Sequence, residues 1–274
     1  MKNTTTKPDA ERFQSGAKKY AAYLETPEGR LRLDLAFANL QEFLPQDTGS
    51  LRALDLGCGT GAVAVRLARL GIHVILLDSS LPMLDLSRRA AQEAGVTERI
   101  ALRQGDAAQV ANLFDAGSFD LILCHNILEY VDDPGALLRG AARSLRDPAG
   151  ILSVLVRNQA GEVLKAAMHY GNLAATEDTL TAEFGHEPLY GGRVRLFGAE
   201  SLQAMLAAAA FAVTAKRGVR VISDYLPTKV SRTDQYERIF ELERKLGSRP
   251  EFAAVARYTH YLAHHVGPMM KDGV

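Results

Sequence analysis

The segment that most limits what this chain can fold into is Leu54-Asp55-Leu56-Gly57-Cys58-Gly59-Thr60-Gly61. The apolar run 51–56 reads as a short strand and 61–70 as a helix, so the glycines occupy a strand-to-helix turn. Glycine lets the chain turn tightly there, and lets backbone approach a ligand that a Cβ would hold away. The spacing is Gly-x-Gly-x-Gly. It is not the Gly-x-Gly-x-x-Gly of dinucleotide sites, and no Lys-Ser/Thr closes the loop, so a pyrophosphate is not the expected ligand.

The same rhythm continues downstream. Strands are expected over 72–77, 100–103, 119–124 and 150–157, with helices over 81–94 and 134–145 between them. Strand alternating with helix predicts a doubly wound α/β domain, a mostly parallel seven-stranded sheet with helices on both faces. The last elements are a helix over 199–209, a strand over 211–222 that can bulge at Gly218, a helix over 235–245 and a strand over 256–264. Residues 1–8 read as a loose tail. Helices over 9–22 and 28–44 make residues 1–45 a helical N-terminal cap. Residues 160–195 hold a helix-like stretch, 163–170, and then a polar, Gly-rich run. They are longer than a connection requires and read as a lid or substrate insertion. No linker marks a second domain, so 1–274 is expected to be one domain.

Polar residues gather at the carboxyl ends of these strands, where open α/β sheets bind ligands. Asp78 ends the second strand, about 20 residues after the glycines, where a carboxylate accepts from the ribose hydroxyls of an adenosine. Asp106, inside Gly105-Asp106-Ala107, follows the third strand, where a side chain reaches an adenine amino group. His125-Asn126 follow the fourth.

This layout resembles the Rossmann-like fold of the class I methyltransferases, which implies S-adenosylmethionine as cofactor. By that resemblance Gly57, Cys58 and Gly59 pack on the methionine part. Asp78 holds the ribose, Asp106 and Ala107 flank the adenine, and His125 lines the methionine side near the methyl group. Four further segments are similar to the tRNA 5-carboxymethoxyuridine methyltransferases: Gly29-Arg30-Leu31-Arg32, His125-Asn-Ile-Leu-Glu-Tyr130, Gly218-Val-Arg-Val-Ile-Ser-Asp-Tyr-Leu226 and Arg257-Tyr-Thr-His260. That similarity runs from about residue 10 to 264. It implies an antiparallel last strand, and methylation of the carboxylate of a modified wobble uridine to a methyl ester. It also implies a cofactor contact by Arg32, whose guanidinium would fork onto the methionine carboxylate.

A carboxylate acceptor is already ionised at neutral pH and needs no general base, so no acid/base dyad is assigned. A bound acid does need a cation: Arg220, Arg157 and Arg193 are candidates, with Tyr225 and His260 as further donors. Lys+Arg and Asp+Glu balance at 32 each, so there is no global pull toward nucleic acid or membrane. From residue 185 onward, however, basic residues outnumber acidic ones, with Tyr190, Tyr225, Tyr258 and Tyr261 interspersed, which suits a flipped-base site. Cys58 and Cys124 have no metal-site spacing, and no metal is expected. The polar N-terminus and the absence of a spanning apolar run point to a cytoplasmic protein without a membrane partner. Two other readings stay open. One is a small-molecule O- or N-methyltransferase acting on a small-molecule acid or similar acceptor, consistent with the neutral charge and Arg157-Asn158. The other is a non-catalytic adenosyl-binding protein on the same scaffold.

Overall fold

The computed structural model describes residues 8–146, 150–187, 189 and 191–266. The tail expected over 1–8, apart from its last residue, and Tyr190 lie outside them. Two helices come first, α1 (Pro8–Leu24) and α2 (Pro27–Gln41). Thr26 caps α2 by accepting from Gly29 N at 3.1 Å, with Pro27 in the first turn, where its missing N–H loses no hydrogen bond.

The wound region follows: β1 (Arg52–Leu56), α3 (Ala62–Arg69), β2 (His73–Asp78), α4 (Leu81–Glu93), β3 (Ile100–Gln104), α5 (Val110–Leu113), β4 (Leu121–His125), α6 (Pro134–Ser144) and β5 (Ile151–Arg157). After it come α7 (Gln159–Met168), α8 (Leu173–Thr179) and a two-stranded antiparallel pair, β6 (Phe184–His186) and β7 (Arg193–Arg195). The chain closes with α9 (Ala199–Ala208), β8 (Phe211–Val219), α10 (Tyr236–Gly247), α11 (Pro250–Ala253) and β9 (Tyr258–His265). The seven-stranded sheet has the order β3-β2-β1-β4-β5-β9-β8. Strands β1 to β5 pair in parallel; β9 runs antiparallel to both β5 and β8. The expected fold class is therefore the observed one.

The central strands are almost continuously apolar because helices cover both faces. On one face Leu54, Leu56, Ile122, Val154 and Val156 pack with Leu137 and Leu138 of α6 and Leu202 and Leu206 of α9. On the other, Ala53, Val74, Leu76, Leu123 and Leu262 pack with Val63, Ala64 and Leu67 of α3 and Leu40 of α2. A smaller cluster, Leu31, Leu35, Leu155, Val219 and Ile239, ties α2 and α10 to this second face. Among the described residues no helix is long and apolar enough to cross a membrane.

One strand differs from expectation. The register shift in β8 lies between Val213 and Ala215, not at Gly218, and the strand stops at Val219. Arg220 ends it by taking φ +61°, which takes the backbone out of the extended region. Gly218 is small because α11 crosses the strand there: a Cβ would meet Ala253 Cα and Ala256 Cβ at 2.9 Å.

Candidate functional site

Strands β2 and β4 flank β1: the chain leaves β1 for β2 on one side, continues to β3, and then crosses back to β4 on the other side. This switch point opens a cavity of about 900 Å³. Its floor is the glycine turn and the ends of β2 to β5. One wall is α1, through Phe13, Lys19, Tyr20 and Tyr23; another is α7 and the segment after it, through Lys165, His169, Tyr170 and Glu187.

The glycine turn has three left-handed residues, with φ of +66° at Gly57, +56° at Gly59 and +72° at Gly61. Space as well as backbone conformation excludes a side chain at Gly57, where a Cβ would sit 2.7 Å from Ile127 Cδ1. Asp78 holds the turn in place. Its Oδ2 accepts from Gly59 N and its Oδ1 from Ser80 N, both at 2.9 Å, which leaves lone pairs directed to the cavity for a diol. Burial raises its carboxyl above the ordinary range, against the backbone hydrogen bonds that lower it. Asp106 Oδ1 accepts from Ala108 N at 2.9 Å, and both Asp106 and Ala107 line the cavity. Cys58 lies in an adjoining recess with Sγ 4.0 Å from Ser87 Oγ; burial pushes its thiol far up, so it is no nucleophile. A backbone cradle closed to Cβ atoms, beside a carboxylate at the end of β2, fits an adenosyl group.

The substrate side is a ring of guanidiniums. Arg32, Arg157, Arg220 and Arg257 all line the cavity and are only 4–7 % exposed. Arg157 pairs with Glu162, at 3.1 Å, and with Glu187. Arg257 pairs with Glu162 and, at 3.7 Å, with Asp224. Arg220 pairs with Asp224 and donates to Tyr23 Oη at 3.0 Å. Three cations thus share three carboxylates. Arg32 is different: it donates to Asn126 Oδ1 at 3.0 Å and Tyr20 Oη at 2.8 Å, and among the described residues no carboxylate pairs with it. The Tyr258 ring lies among them, 5.6 Å from the Arg32 Cζ, 5.9 Å from that of Arg220 and 5.8 Å from that of Arg257. Burial alone would raise the Tyr258 hydroxyl, but Arg157, Arg32, Arg220 and Arg257 together hold it below the ordinary tyrosine range.

The strained Arg220 is held through the three residues that follow it. Glu243 of α10, fully buried, accepts from Val221 N at 2.5 Å, Ile222 N at 3.0 Å and Ser223 N at 2.7 Å. At the end of β4, Asn126 also takes a positive φ, +53°, which asparagine tolerates better than most residues. Its Nδ2 donates to Glu129 Oε1 at 2.9 Å, and the same oxygen accepts from Arg157 N at 2.8 Å. One segment, His125–Tyr130, therefore packs on Gly57, receives Arg32 and supports Arg157. His125 lines the cavity with Nε2 2.7 Å from Ser153 Oγ, which is 2.8 Å from His260 Nε2. Burial, and then Arg32, lower His125 to about 3; burial, and then His125, lower His260 as well, so both rings are neutral. Among the described residues no group of His, Cys, Asp and Glu is placed to hold a metal ion.

Of the expected site residues, Arg32, Gly57, Gly59, Asp78, Asp106, Ala107, His125, Arg157 and Arg220 come together around one cavity. Four others do not line it, the first being Cys58, which lies in the adjoining recess. His260 is completely buried behind Ser153, so the expected substrate contact is closed to it. Tyr225 turns its hydroxyl to Gly161 O at 3.4 Å. Arg193 stacks on Phe184, its Cζ 3.5 Å from the ring centroid. Tyr20 and Tyr23 were not anticipated, and Asn126, Arg257 and Tyr258 stood out in the sequence only as parts of a strand end, a segment or a run of tyrosines, with no individual role. The last two had a usable signal: β9 is antiparallel, so its first residues, not its middle, lie at the ligand edge, and Tyr258 pairs with Arg157.

Comparison with known proteins agrees with this geometry. A family model described as "Methyltransferase domain" matches residues 54–154, the span from the glycine turn to β5. The tRNA 5-carboxymethoxyuridine methyltransferase of Escherichia coli strain K12 is 32 % identical over 272 residues, covering 96 % of this chain and 98 % of that one. In fold, the chain resembles a protein of a Haloferax volcanii complex between a methyltransferase and its Trm112 activator (TM-score 0.63, 18 % identity, 93 % of this chain and 96 % of that one). It also resembles an S-adenosylmethionine-dependent methyltransferase from Thermotoga maritima (TM-score 0.60, 16 % identity, 93 % and 98 %). With a full-length relative above 30 % identity and the matching cavity, the chain is an S-adenosylmethionine-dependent methyltransferase and belongs to the tRNA 5-carboxymethoxyuridine methyltransferase family.

Proposed function

We propose that this protein methylates the carboxylate of 5-carboxymethoxyuridine at the tRNA wobble position, forming the methyl ester, in the cytoplasm where tRNA is used. The observation that carries the reading is the ring of four buried guanidiniums around Tyr258, facing the same cavity as the glycine turn. Bound S-adenosylmethionine supplies an electrophilic methyl group on a sulfonium sulfur. The chain's residues do the rest by binding and alignment. Asp78 accepts from the ribose, Asp106 and Ala107 flank the adenine, and the Gly57–Gly59 backbone receives the methionine part, with Arg32 as the cation for its carboxylate. Arg157 and Arg220 then face the acceptor acid. Its oxygen already carries the attacking lone pair, and no base is required of the protein. Residues 160–195 act as a lid whose Lys165, His169 and Tyr170 help to exclude water.

The test is incubation with methyl-labelled S-adenosylmethionine and tRNA isolated without its wobble methyl ester. The expected result is labelled tRNA whose label is released by mild alkali, as an ester requires. Cofactor binding without labelling of tRNA would overturn the reading and turn the search to small-molecule acceptors.

A further inference from the structure

We infer that Ser153 and His260 fix the side-chain proton of His125 on Nδ1, so that His125 meets the cavity as a hydrogen-bond donor and not as a base. The three residues come from adjacent strands. His125 of β4 pairs with Leu155 of β5, and Leu155 pairs with His260 of β9, while Ser153 sits two residues before Leu155. Because side chains alternate along a strand, all three point to one face of the sheet. There Ser153 Oγ stands 2.7 Å from His125 Nε2 and 2.8 Å from His260 Nε2.

A hydroxyl has one proton and two lone pairs; the two rings are the partners of the buried Ser153 Oγ among the described residues, so accepting from both would orphan its own O–H, and it donates to one ring and accepts from the other. With both rings neutral, only two arrangements satisfy this. In the first, His260 Nε2–H donates to Ser153, Ser153 donates to His125 Nε2, and His125 carries its proton on Nδ1. In the second, every bond is reversed and His260 carries its proton on Nδ1. His260 Nδ1 is buried and has no hydrogen-bond partner among the described residues. The second arrangement would orphan a buried N–H donor there, whereas the first leaves only a bare lone pair, the more tolerable defect. The first arrangement is therefore the assignment. Ser153 and His260 are positioning residues: neither reaches the cavity, and both act through His125.

The consequence for the reaction rests on the proposed function. An alcohol, phenol or amine acceptor must give up a proton, and His125 is the histidine at the end of β4 that could otherwise take it. With Nδ1 protonated it has no lone pair to offer. A carboxylate needs no such base and can accept the Nδ1–H. The tautomer selects an acceptor that is already anionic.

The test is long-range proton–nitrogen correlation spectroscopy on the full chain labelled with 15N-histidine. The His125 ring is identified among the seven histidines by its loss in His125→Gln. The expected pattern is a protonated Nδ1 and a bare Nε2; a bare Nδ1 with a protonated Nε2 overturns the inference. Ser153→Ala should mix the two tautomers and lower kcat/KM about tenfold, the effect of one hydrogen bond, and Ser153→Thr should restore both. A single unchanged tautomer in Ser153→Ala overturns it too. The spectrum is read without substrate, so failure to methylate tRNA with the expected tautomer would sink the proposed function and leave this inference standing.

Discussion

Replacing Arg32 tests how charge is divided in the cavity. Arg157, Arg220 and Arg257 are paired with Glu162, Glu187 and Asp224, so Arg32 carries the positive charge without a carboxylate partner among the described residues. Among the described residues it donates to Asn126 Oδ1 and Tyr20 Oη, and neither is a carboxylate. A guanidinium held in this way, 6 % exposed, is set to take an anion. Arg32→Met keeps much of the side-chain volume and removes the fork. Each charge-assisted hydrogen bond is worth about 1.5–3 kcal/mol, so losing two reduces affinity by about 3–6 kcal/mol, or roughly 10²–10⁴-fold. The assay is calorimetric titration with two ligands. S-adenosylhomocysteine carries the amino-acid carboxylate; methylthioadenosine has the same adenosyl end without it. Arg32→Met should weaken the first by the full factor and the second by less than about threefold, and Arg32→Lys should recover part of the loss. Equal losses for both ligands, or a loss confined to the KM for tRNA, would refute the assignment of Arg32 to the methionine carboxylate.

Three further outcomes follow from the geometry. Glu243→Gln replaces one of two acceptor oxygens with an NH2 that faces a backbone N–H, so urea denaturation should show a loss of about 3 kcal/mol; a loss under about 1 kcal/mol would refute the clamp on Arg220. Gly61→Ala forces an alanine to φ +72° with its Cβ 2.9 Å from Leu76 Cδ2 and 3.0 Å from Ser87 Cβ, so it should lower stability by about 2–4 kcal/mol in the same assay. Burial, with Asp78 adding, raises Asp55 to about 7. A raised carboxyl contributes stability that is fully present below its unfolded value, near 4, and is lost as pH rises through 7. Asp55→Asn, which has no such dependence, should therefore gain about 2 kcal/mol relative to the parent between pH 5 and pH 8, and a constant difference would show that Asp55 titrates normally.

What the sequence discloses and what it hides divide along a physical line. The wound sheet was legible because its central strands β1, β4 and β5 are buried on both faces and punctuated by a turn or helix cap, a local pattern that tertiary contacts only reinforce. The cofactor half of the cavity was legible for a related reason: Gly57, Asp78, Asp106 and His125 each lie at or just beyond the end of a strand, and parallel strands deliver their carboxyl ends to one edge. The short strands β6 and β7, three residues each, are too brief for any alternation to register. The acceptor half depends on pairings across the chain, and these leave no local trace. Arg220 meets Tyr23 nearly two hundred positions away, and the left-handed Arg220 is stable only because Glu243 binds the next three amides. His260 illustrates the step from segment to site. The Arg257–His260 segment does reach the cavity, yet through Arg257 and Tyr258, because an antiparallel β9 brings its beginning to the edge where parallel strands bring their ends. Two residues further in, on the same face of the sheet, His260 lies deeper, beneath the floor, where Ser153 and His125 connect it to the chemistry. Direction of the strand, rather than identity of the motif, decides which of these residues touches a ligand.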